Sequence, residues 1–430
     1  MSKAGEGKIG LRAVVAIGIG GMVGGGIFAV LGLAVQLAHG GTPVAFALAG
    51  AVALLTTYSY AKLSVAYPSR GGTVTFLNRA FGAGMFTGSL NVLLWLSYVV
   101  MLSLYAFAFG SYGATFLPEA WQAVGKHALI SLTVIMITGL NLLSAELIGK
   151  AEVWIVGLKV VILLFFVGAG LAGVKTSQIA PGSWSPSLQL VAGGMIIFVA
   201  YEGFELIANT AHDVRDAART LPRAYYISVG FVIALYVLVA LVTVGNLAVD
   251  KIVAAKDYAL AEAARPFLGQ AGFKLIAVAA MLSTASAINA TLYGSARLSY
   301  SIAHSGELPA VLERKVWSEP LGGLLITAGL TLGVANVFDL TSISTMGSAG
   351  FLLIFAAVNI ANTFQAPQTN SRGWISAAGA AACLAALGAL VWQTARTGPG
   401  KLWVLAALVA LAVMIEGGYR LAKREIRLHE

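Results

Sequence analysis

The chain is a succession of apolar runs, most about 20 residues long, separated by short polar or proline-bearing breaks. That is the length an α-helix needs to cross roughly 30 Å of hydrocarbon. Of the 430 residues, 58% are hydrophobic and only 10% are charged, against about 25% charged in an ordinary soluble domain. So few charges do not cover the surface of a soluble protein of this size. Roughly 249 apolar residues, taken in units of about 20, set a ceiling near twelve spans. The expected fold class is an all-α polytopic membrane protein.

Other classes fall away on residue usage. The single cysteine, Cys383, lies inside an apolar run, which leaves no disulfide framework and no thiolate metal cluster. The five histidines, His39, His127, His212, His304 and His429, are far apart and show no paired ligand spacing, so no metal site is expected. No cofactor and no enzymatic activity are expected either. The apolar runs are continuous instead of alternating, which speaks against a β-barrel. The first run extends from Ile9 to about Ala38 without a small-residue cleavage pattern, so a cleavable leader is not expected.

The breaks delimit twelve expected spans, at about 10–38, 43–66, 76–112, 127–145, 149–174, 187–210, 222–247, 271–303, 321–338, 341–364, 374–394 and 400–420. With the N-terminus in the cytoplasm, 18 of the 27 Lys and Arg residues fall on the cytoplasmic side. Among them are Lys3, Lys8, Arg70, Arg314, Lys315, Lys423, Arg424 and Arg427. Eight fall outside, and Lys159 lies within a span. This bias follows the positive-inside rule with both termini cytoplasmic, as in a multi-pass protein of the cell inner (plasma) membrane. The net charge of +9 is therefore a topology signal, and no nucleic-acid partner is expected.

Two spans are poorly built as helices. The first contains Gly18, Gly20, Gly21, Gly24, Gly25 and Gly26, each weakening a helix by about 1 kcal/mol relative to alanine. The sixth contains Ala200-Tyr201-Glu202-Gly203-Phe204-Glu205, two carboxylates around a glycine inside an apolar run. Interruptions at corresponding places in two halves of a chain point to a carrier's binding site. If Met22-Val23-Gly24-Gly25-Gly26-Ile27 unwinds, its amides and carbonyls lose their partners. The following half-helix then presents N–H donors and a positive dipole end to an anion such as a carboxylate. The plainer alternative is small-residue packing, since Gly20/Gly24 and Gly21/Gly25 have GxxxG spacing. In the sixth span, carbonyls of Phe198, Val199 and Ala200 can hold an ammonium, with Glu205 as a titratable neighbour. Carboxylates at membrane depth are expensive unless paired or hydrated. The alternative is a structural ion pair with a lysine.

That lysine is Lys159, nine residues beyond Lys150 and so about 13 Å into the membrane at 1.5 Å per residue. Desolvation disfavours the charged form of a lysine, so a buried one can release its proton. It can also replace a bound Na⁺ among carbonyl and hydroxyl oxygens, for which the eighth span offers Ser283, Thr284 and Ser286. A static ion pair is the alternative. Weaker signals are the turn Pro68-Ser69-Arg70-Gly71-Gly72 and the polar loop from Ala211 to Pro222, where His212 reads as a solvated loop residue. Cys383 reads as packed or lipid-facing.

Several stretches resemble one family. Gly24-Gly25-Gly26-Ile27-Phe28, Tyr67-Pro68-Ser69-Arg70-Gly71-Gly72, Phe198 to Phe204, and Ser286 through Asn289-Ala290 to Gly294 are similar to the amino acid–polyamine–organocation (APC) permeases. The resemblance covers nearly the whole chain and is strongest to archaeal proton-coupled members. It includes Tyr58-Ser59-Tyr60, Ala259 to Gly269, Asn289-Ala290-Thr291, Gly149-Lys150-Ala151-Glu152, and Gly306-Glu307-Leu308-Pro309 through Trp317. The resemblance implies a LeuT-like fold with alternating access: a first inverted repeat at 10–174, a second at 187–364, and two further helices at 374–420. It also implies that Lys159 stands in place of a sodium site. Glu202 and Glu205 depart from those archaeal members, which are uncharged there. Glu205 resembles an acidic residue of other members.

Taken together, these features predict a secondary active amino-acid permease, proton-coupled and sodium-independent. Gly24–Gly26 would hold the substrate carboxylate, and carbonyls of Met22 and of Phe198 to Ala200 its amine. Met22, Val23, Ile27, Val199, Tyr201 and Glu202 would line the pocket. Lys159 and Glu205, with Ser283, Thr284 and Ser286, would carry proton coupling. The expected partners are an amino acid, protons and the lipid bilayer. The rival is an exchanger of cationic amino acids or polyamines, favoured by Glu202; a channel or membrane receptor is a remoter alternative.

Overall fold

The computed structural model describes residues 9–143, 145–304 and 321–421. The cytoplasmic charges expected at Lys3, Lys8, Arg314, Lys315, Lys423, Arg424 and Arg427, and the 306–317 stretch of the family resemblance, lie outside the described residues. The described chain is helical almost throughout. Its β-structure among those residues amounts to two isolated bridges, Ile9 with Val214 and His39 with Trp184.

The α-helices run in the order α1 (Leu11–Met22), α2 (Gly26–Ala38), α3 (Thr42–Ala66), α4 (Thr73–Phe81), α5 (Met85–Ala114), α6 (Glu119–Leu143), α7 (Ala145–Gly170) and α8 (Thr176–Ile179). They continue with α9 (Ser187–Ile196), α10 (Ala217–Asn246), α11 (Val249–Ala254), α12 (Ala259–His304), α13 (Leu321–Val337), α14 (Leu340–Phe364), α15 (Gly373–Thr397) and α16 (Leu402–Leu421). Among the described residues nine helices are long and apolar enough to cross a membrane. The bent pairs α1–α2 and α9 with Phe198–Asp213 raise that number to eleven. α13 stands where the ninth span is expected but is shorter, so length and composition alone carry eleven of the twelve.

Two boundaries correct the sequence reading. The third span is expected at 76–112, but the chain turns at Gly82, with φ of 70°, and separates α4 from the span proper, α5. α4 buries Val74, Phe76 and Leu77 and keeps Arg79 in its last turn, so it is a short amphipathic helix. The eighth span is expected to begin at 271; α12 starts at Ala259 and breaks at Gly269, with φ of 62°. At Gly82 the apolar run continues across the break, so hydropathy alone does not register it; at Gly269 the nearby Arg265, Gln270 and Lys274 mark the break but hide the helix that precedes it.

Burial sorts the helices by their surroundings. The most apolar stretch of α5 is 94% buried, whereas that of α16 is 22% buried. Leu, Val and Met side chains exposed on α6, α7, α15 and α16 therefore require a lipid solvent. Trp121, Trp374 and Trp403 sit exposed in the first turns of α6, α15 and α16, the interfacial position tryptophan favours.

At one end of the bundle the chain start is tied down. The Ile9 N–H donates to the Asp213 carbonyl at 3.1 Å, and the Arg215 N–H to the Ile9 carbonyl at 2.9 Å. Arg70 lies 3.1 Å from the Asp213 carboxylate, with side-chain exposures of 73% and 41%. The Arg70 guanidinium, with the His212 ring, holds the Asp213 carboxyl below the usual carboxylate range. A depressed carboxylate stabilises the fold above its ordinary pKa and loses that contribution as pH falls through its folded value. Because the pair is exposed, Arg70→Ala should lower stability by less than about 1 kcal/mol near neutrality. The difference should shrink and vanish as pH falls through the lowered folded-state value of Asp213. Thermal unfolding of both proteins across pH checks this; a gap that widens on acidification would contradict it.

Candidate functional site

The site begins where α1 stops. The Val23 N–H closes α1 on the Ile19 carbonyl at 2.7 Å, and α2 restarts at Gly26 with a bend of 46° between the two. Gly25, which precedes α2, has no side chain, and no side-chain cap reaches the helix start. The N–H groups of Gly26, Ile27 and Phe28 therefore lack intrahelical acceptors at the positive end of the α2 dipole. On the other side of the break, the Met22 carbonyl accepts the Tyr236 hydroxyl at 2.7 Å. The Ser283 hydroxyl donates to the Gly24 carbonyl. Hydroxyls from α10 and α12 thus satisfy backbone groups that unwinding frees.

The second break lies opposite. α9 ends at Ile196; a 3-10 turn covers Phe198–Tyr201, and Glu202 is extended. Gly203 has φ of 116°. The chain then continues as a 3-10 helix over Phe204–Asp213, at 48° to α9. The sixth span, expected at 187–210, is thus broken at the Glu202–Gly203 stretch and continues three residues further, to Asp213, in 3-10 winding. The N–H of Val199 donates to Ser348 Oγ at 3.0 Å, and Ser348 and Ser344 donate to the Ile196 carbonyl at 2.8 and 2.7 Å.

The two breaks touch through small residues. A Cβ added to Gly26 would stand 2.8 Å from Ala200 Cα, and one added to Gly21 would stand 2.7 Å from the Gly203 carbonyl oxygen. All of Met22 to Ile27 and Phe198 to Glu202 are buried. Tyr201 packs on Phe46 and Tyr236 and donates its hydroxyl to the Phe46 carbonyl at 2.9 Å. Met22, Tyr201 and Tyr236 therefore form one cluster between α1, the second break and α10.

The carboxylates are equally enclosed. Glu205 is 1% exposed; its Oε1 accepts the Tyr98 hydroxyl at 3.0 Å and its Oε2 the Gly203 N–H at 2.8 Å. Glu202, three residues before it, is likewise buried. Lys159, 2% exposed, donates to the Gly20 carbonyl at 3.2 Å, two residues before the end of α1. Of the eighth-span hydroxyls, Ser283 meets helix one at Gly24. The Thr284 hydroxyl instead returns to its own helix, donating to Ala280 and Met281 carbonyls at 2.8 and 3.0 Å. Its methyl faces Gly25. Ser286 is buried. Among the described residues no group of three or more His, Cys, Asp or Glu side chains is placed to hold a metal ion.

The sequence did not point to Tyr98, Tyr236, Ser344 and Ser348, nor to Tyr105, whose side chain on α5 packs against Gly24 and Gly25. Tyr98 and Tyr105 are seven apart on α5, and Ser344 and Ser348 four apart on α14. Each pair shares one helix face, so a polar stripe in an apolar span was the available signal.

Residues 9–415 match the family described as amino acid permease. This chain belongs to the amino acid permease family. The permease is 36% identical over 370 residues to an uncharacterized protein of Methanocaldococcus jannaschii, covering 85% of this chain and 84% of that one. It is 36% identical over 355 residues to the inner membrane transport protein YbaT of Escherichia coli, covering 82% and 83%. A manganese transporter from Eremococcus coleocola, solved as a point mutant, shares the permease's fold with a TM-score of 0.63 at 13% identity, covering 95% of each chain. The permease is thus a multi-pass membrane transporter of LeuT-like fold and not an enzyme.

Proposed function

We propose that this permease carries α-amino acids by alternating access, coupled to protons and independent of sodium. The observation that carries the reading is the contact of two broken spans, with the uncapped N-terminus of α2 opening at their crossing. A carboxylate fits the glycine backbone of Gly24 to Gly26, where the uncapped N–H groups of Gly26 and Ile27 open at the positive dipole end. An ammonium fits carbonyls of Met22 and Phe198 to Ala200. Met22, Val23, Ile27, Val199, Tyr201 and Glu202 enclose the side chain. Lys159, at the inner half of helix one, serves as the coupling cation, supported by Glu205 and by Ser283, Thr284 and Ser286. The two halves, 10–174 and 187–364, act as repeats that rock about the crossing, with 374–420 peripheral. Both termini lie in the cytoplasm of a cell whose inner membrane holds the protein.

A second reading, an exchanger of cationic amino acids or polyamines, draws on Glu202. Its buried carboxyl beside the second break is suited to a cationic side chain. Competition separates the two. In proteoliposomes taking up a ¹⁴C-labelled mixture of L-amino acids, unlabelled amino acids should compete. Their decarboxylated amines should compete at least about tenfold less well, the value of one lost charge-assisted hydrogen bond or two. If putrescine and agmatine compete as well as ornithine and arginine, the carboxylate site is wrong and the polyamine reading takes over.

A further inference from the structure

Opposite the end that holds Arg70, across the length of α3, lies a cavity of about 270 Å³. Its floor includes Ile196, and its walls include Gln36, Lys256, Asp339, Thr345 and Lys401. Lys401 Nζ lies 2.6 Å from Asp339 Oδ2, with side-chain exposures of 39% and 55%. A pair this exposed is only weakly held, so it opens readily. Asp339, however, is anchored. Its Oδ1 accepts the Ser342 N–H at 2.8 Å as the N-cap of α14, which holds the carboxylate in place when the lysine swings away.

A ligand that inserts between the two must replace both partners. A lone cation leaves Lys401 uncompensated, and a lone anion leaves Asp339 uncompensated, in a site already half withdrawn from water. A free α-amino acid carries an ammonium and a carboxylate on one carbon and satisfies both. Lys256 adds a second cation for the carboxylate, and Gln36 and Thr345 add hydrogen-bonding groups.

The position suits a ligand on its way inward. The Ile196 carbonyl on the floor is held by Ser348, which also accepts the Val199 N–H of the second break. Leu33, in the wall, is seven residues from Gly26, about 10 Å along α2. We infer that this cavity is an outer staging site that captures the zwitterionic backbone of a free α-amino acid before it reaches the crossing of the broken spans. This rests on the reading of the chain as an amino-acid carrier.

Because Cys383 is the chain's one cysteine and is buried, a cysteine placed at Thr397 in the cavity wall is the accessible reporter. The rate of maleimide labelling of Thr397→Cys is measured in purified protein with L-alanine, propionate or ethylamine. L-Alanine should slow labelling at least threefold and the two single-charge analogues should not. Asp339→Asn and Lys401→Gln should each abolish the protection. Equal effects of all three compounds, or protection that survives Asp339→Asn, overturns the staging site. The same assay in a Gly26→Ala background, which crowds the buried crossing, should keep the protection; its loss there means that L-alanine acts from the buried site and also overturns the proposal. Amino-acid uptake by the parent, measured alongside, tests the carrier reading separately: uptake without protection removes only the staging site, and protection without uptake removes only the carrier reading.

Discussion

Lys159→Ala should abolish accumulation of substrate under an imposed proton gradient while leaving substrate binding measurable. The ammonium is buried and donates to the Gly20 carbonyl at 3.2 Å, on the inner half of the broken first span. In the proposed alternating-access cycle that half-helix moves relative to α7, so that the lysine would gain or lose an oxygen partner and proton binding would be linked to conformation. A cation held through a buried contact is worth several kcal/mol of differential interaction when a partner is removed, and about 2.7 kcal/mol already shifts a two-state equilibrium about a hundredfold. The backbone groups of Gly24 to Gly26 and of Phe198 to Ala200 survive the substitution, which is why binding persists. Lys159→Arg should fail as well, because guanidinium stays charged at physiological pH. Concentrative uptake in proteoliposomes is the check. A Lys159→Ala protein that concentrates substrate as the parent does makes Lys159 a structural contact and Glu205 the leading proton carrier.

Gly203→Ala should be nearly as damaging, for a steric reason. Gly203 sits at φ of 116°, and a Cβ there would lie 2.6 Å from the Met22 backbone nitrogen. The left-handed conformation costs an alanine about 1–2 kcal/mol, and the clash is with backbone, which cannot rotate away. It would also displace the N–H that holds Glu205. We expect uptake to fall at least about tenfold and the stability loss to exceed about 2 kcal/mol. Gly230→Ala is the matched control, since nothing lies within 4 Å of its added Cβ and it sits inside α10. It should transport as the parent and melt no lower. Parent-like uptake and melting of Gly203→Ala would contradict the crossing of the two breaks.

The broken spans were legible because their chemistry is wrong for a membrane helix: six glycines between Gly18 and Gly26 in the first, and two carboxylates about a glycine in the sixth. The groups that complete the breaks were not. Tyr236, Ser283 and Ser348 come from α10, α12 and α14, and a single hydroxyl in an apolar span looks the same whether it caps its own helix, as Thr284 does, or a neighbour. Only the Ser283 of this set was singled out, through its place beside Thr284 and Ser286. The turn at Gly82 was hidden because Ala80, Phe81, Ala83 and Met85 around it are apolar, and the helix before Gly269 because Arg265, Pro266 and Gln270 read as a polar loop. The 3-10 winding of Phe204–Asp213 leaves no mark in composition at all.

Protons, not sodium, are proposed to drive the transport of amino acids through this crossing. The most direct test is uptake of a ¹⁴C-labelled mixture of L-amino acids into proteoliposomes, with Na⁺ replaced throughout by choline and an inward proton gradient imposed. Accumulation above equilibrium is expected, which collapses when the pH gradient is dissipated and is unchanged when Na⁺ is restored. Accumulation driven by a Na⁺ gradient at equal pH on both sides, with no response to the proton gradient, would contradict it.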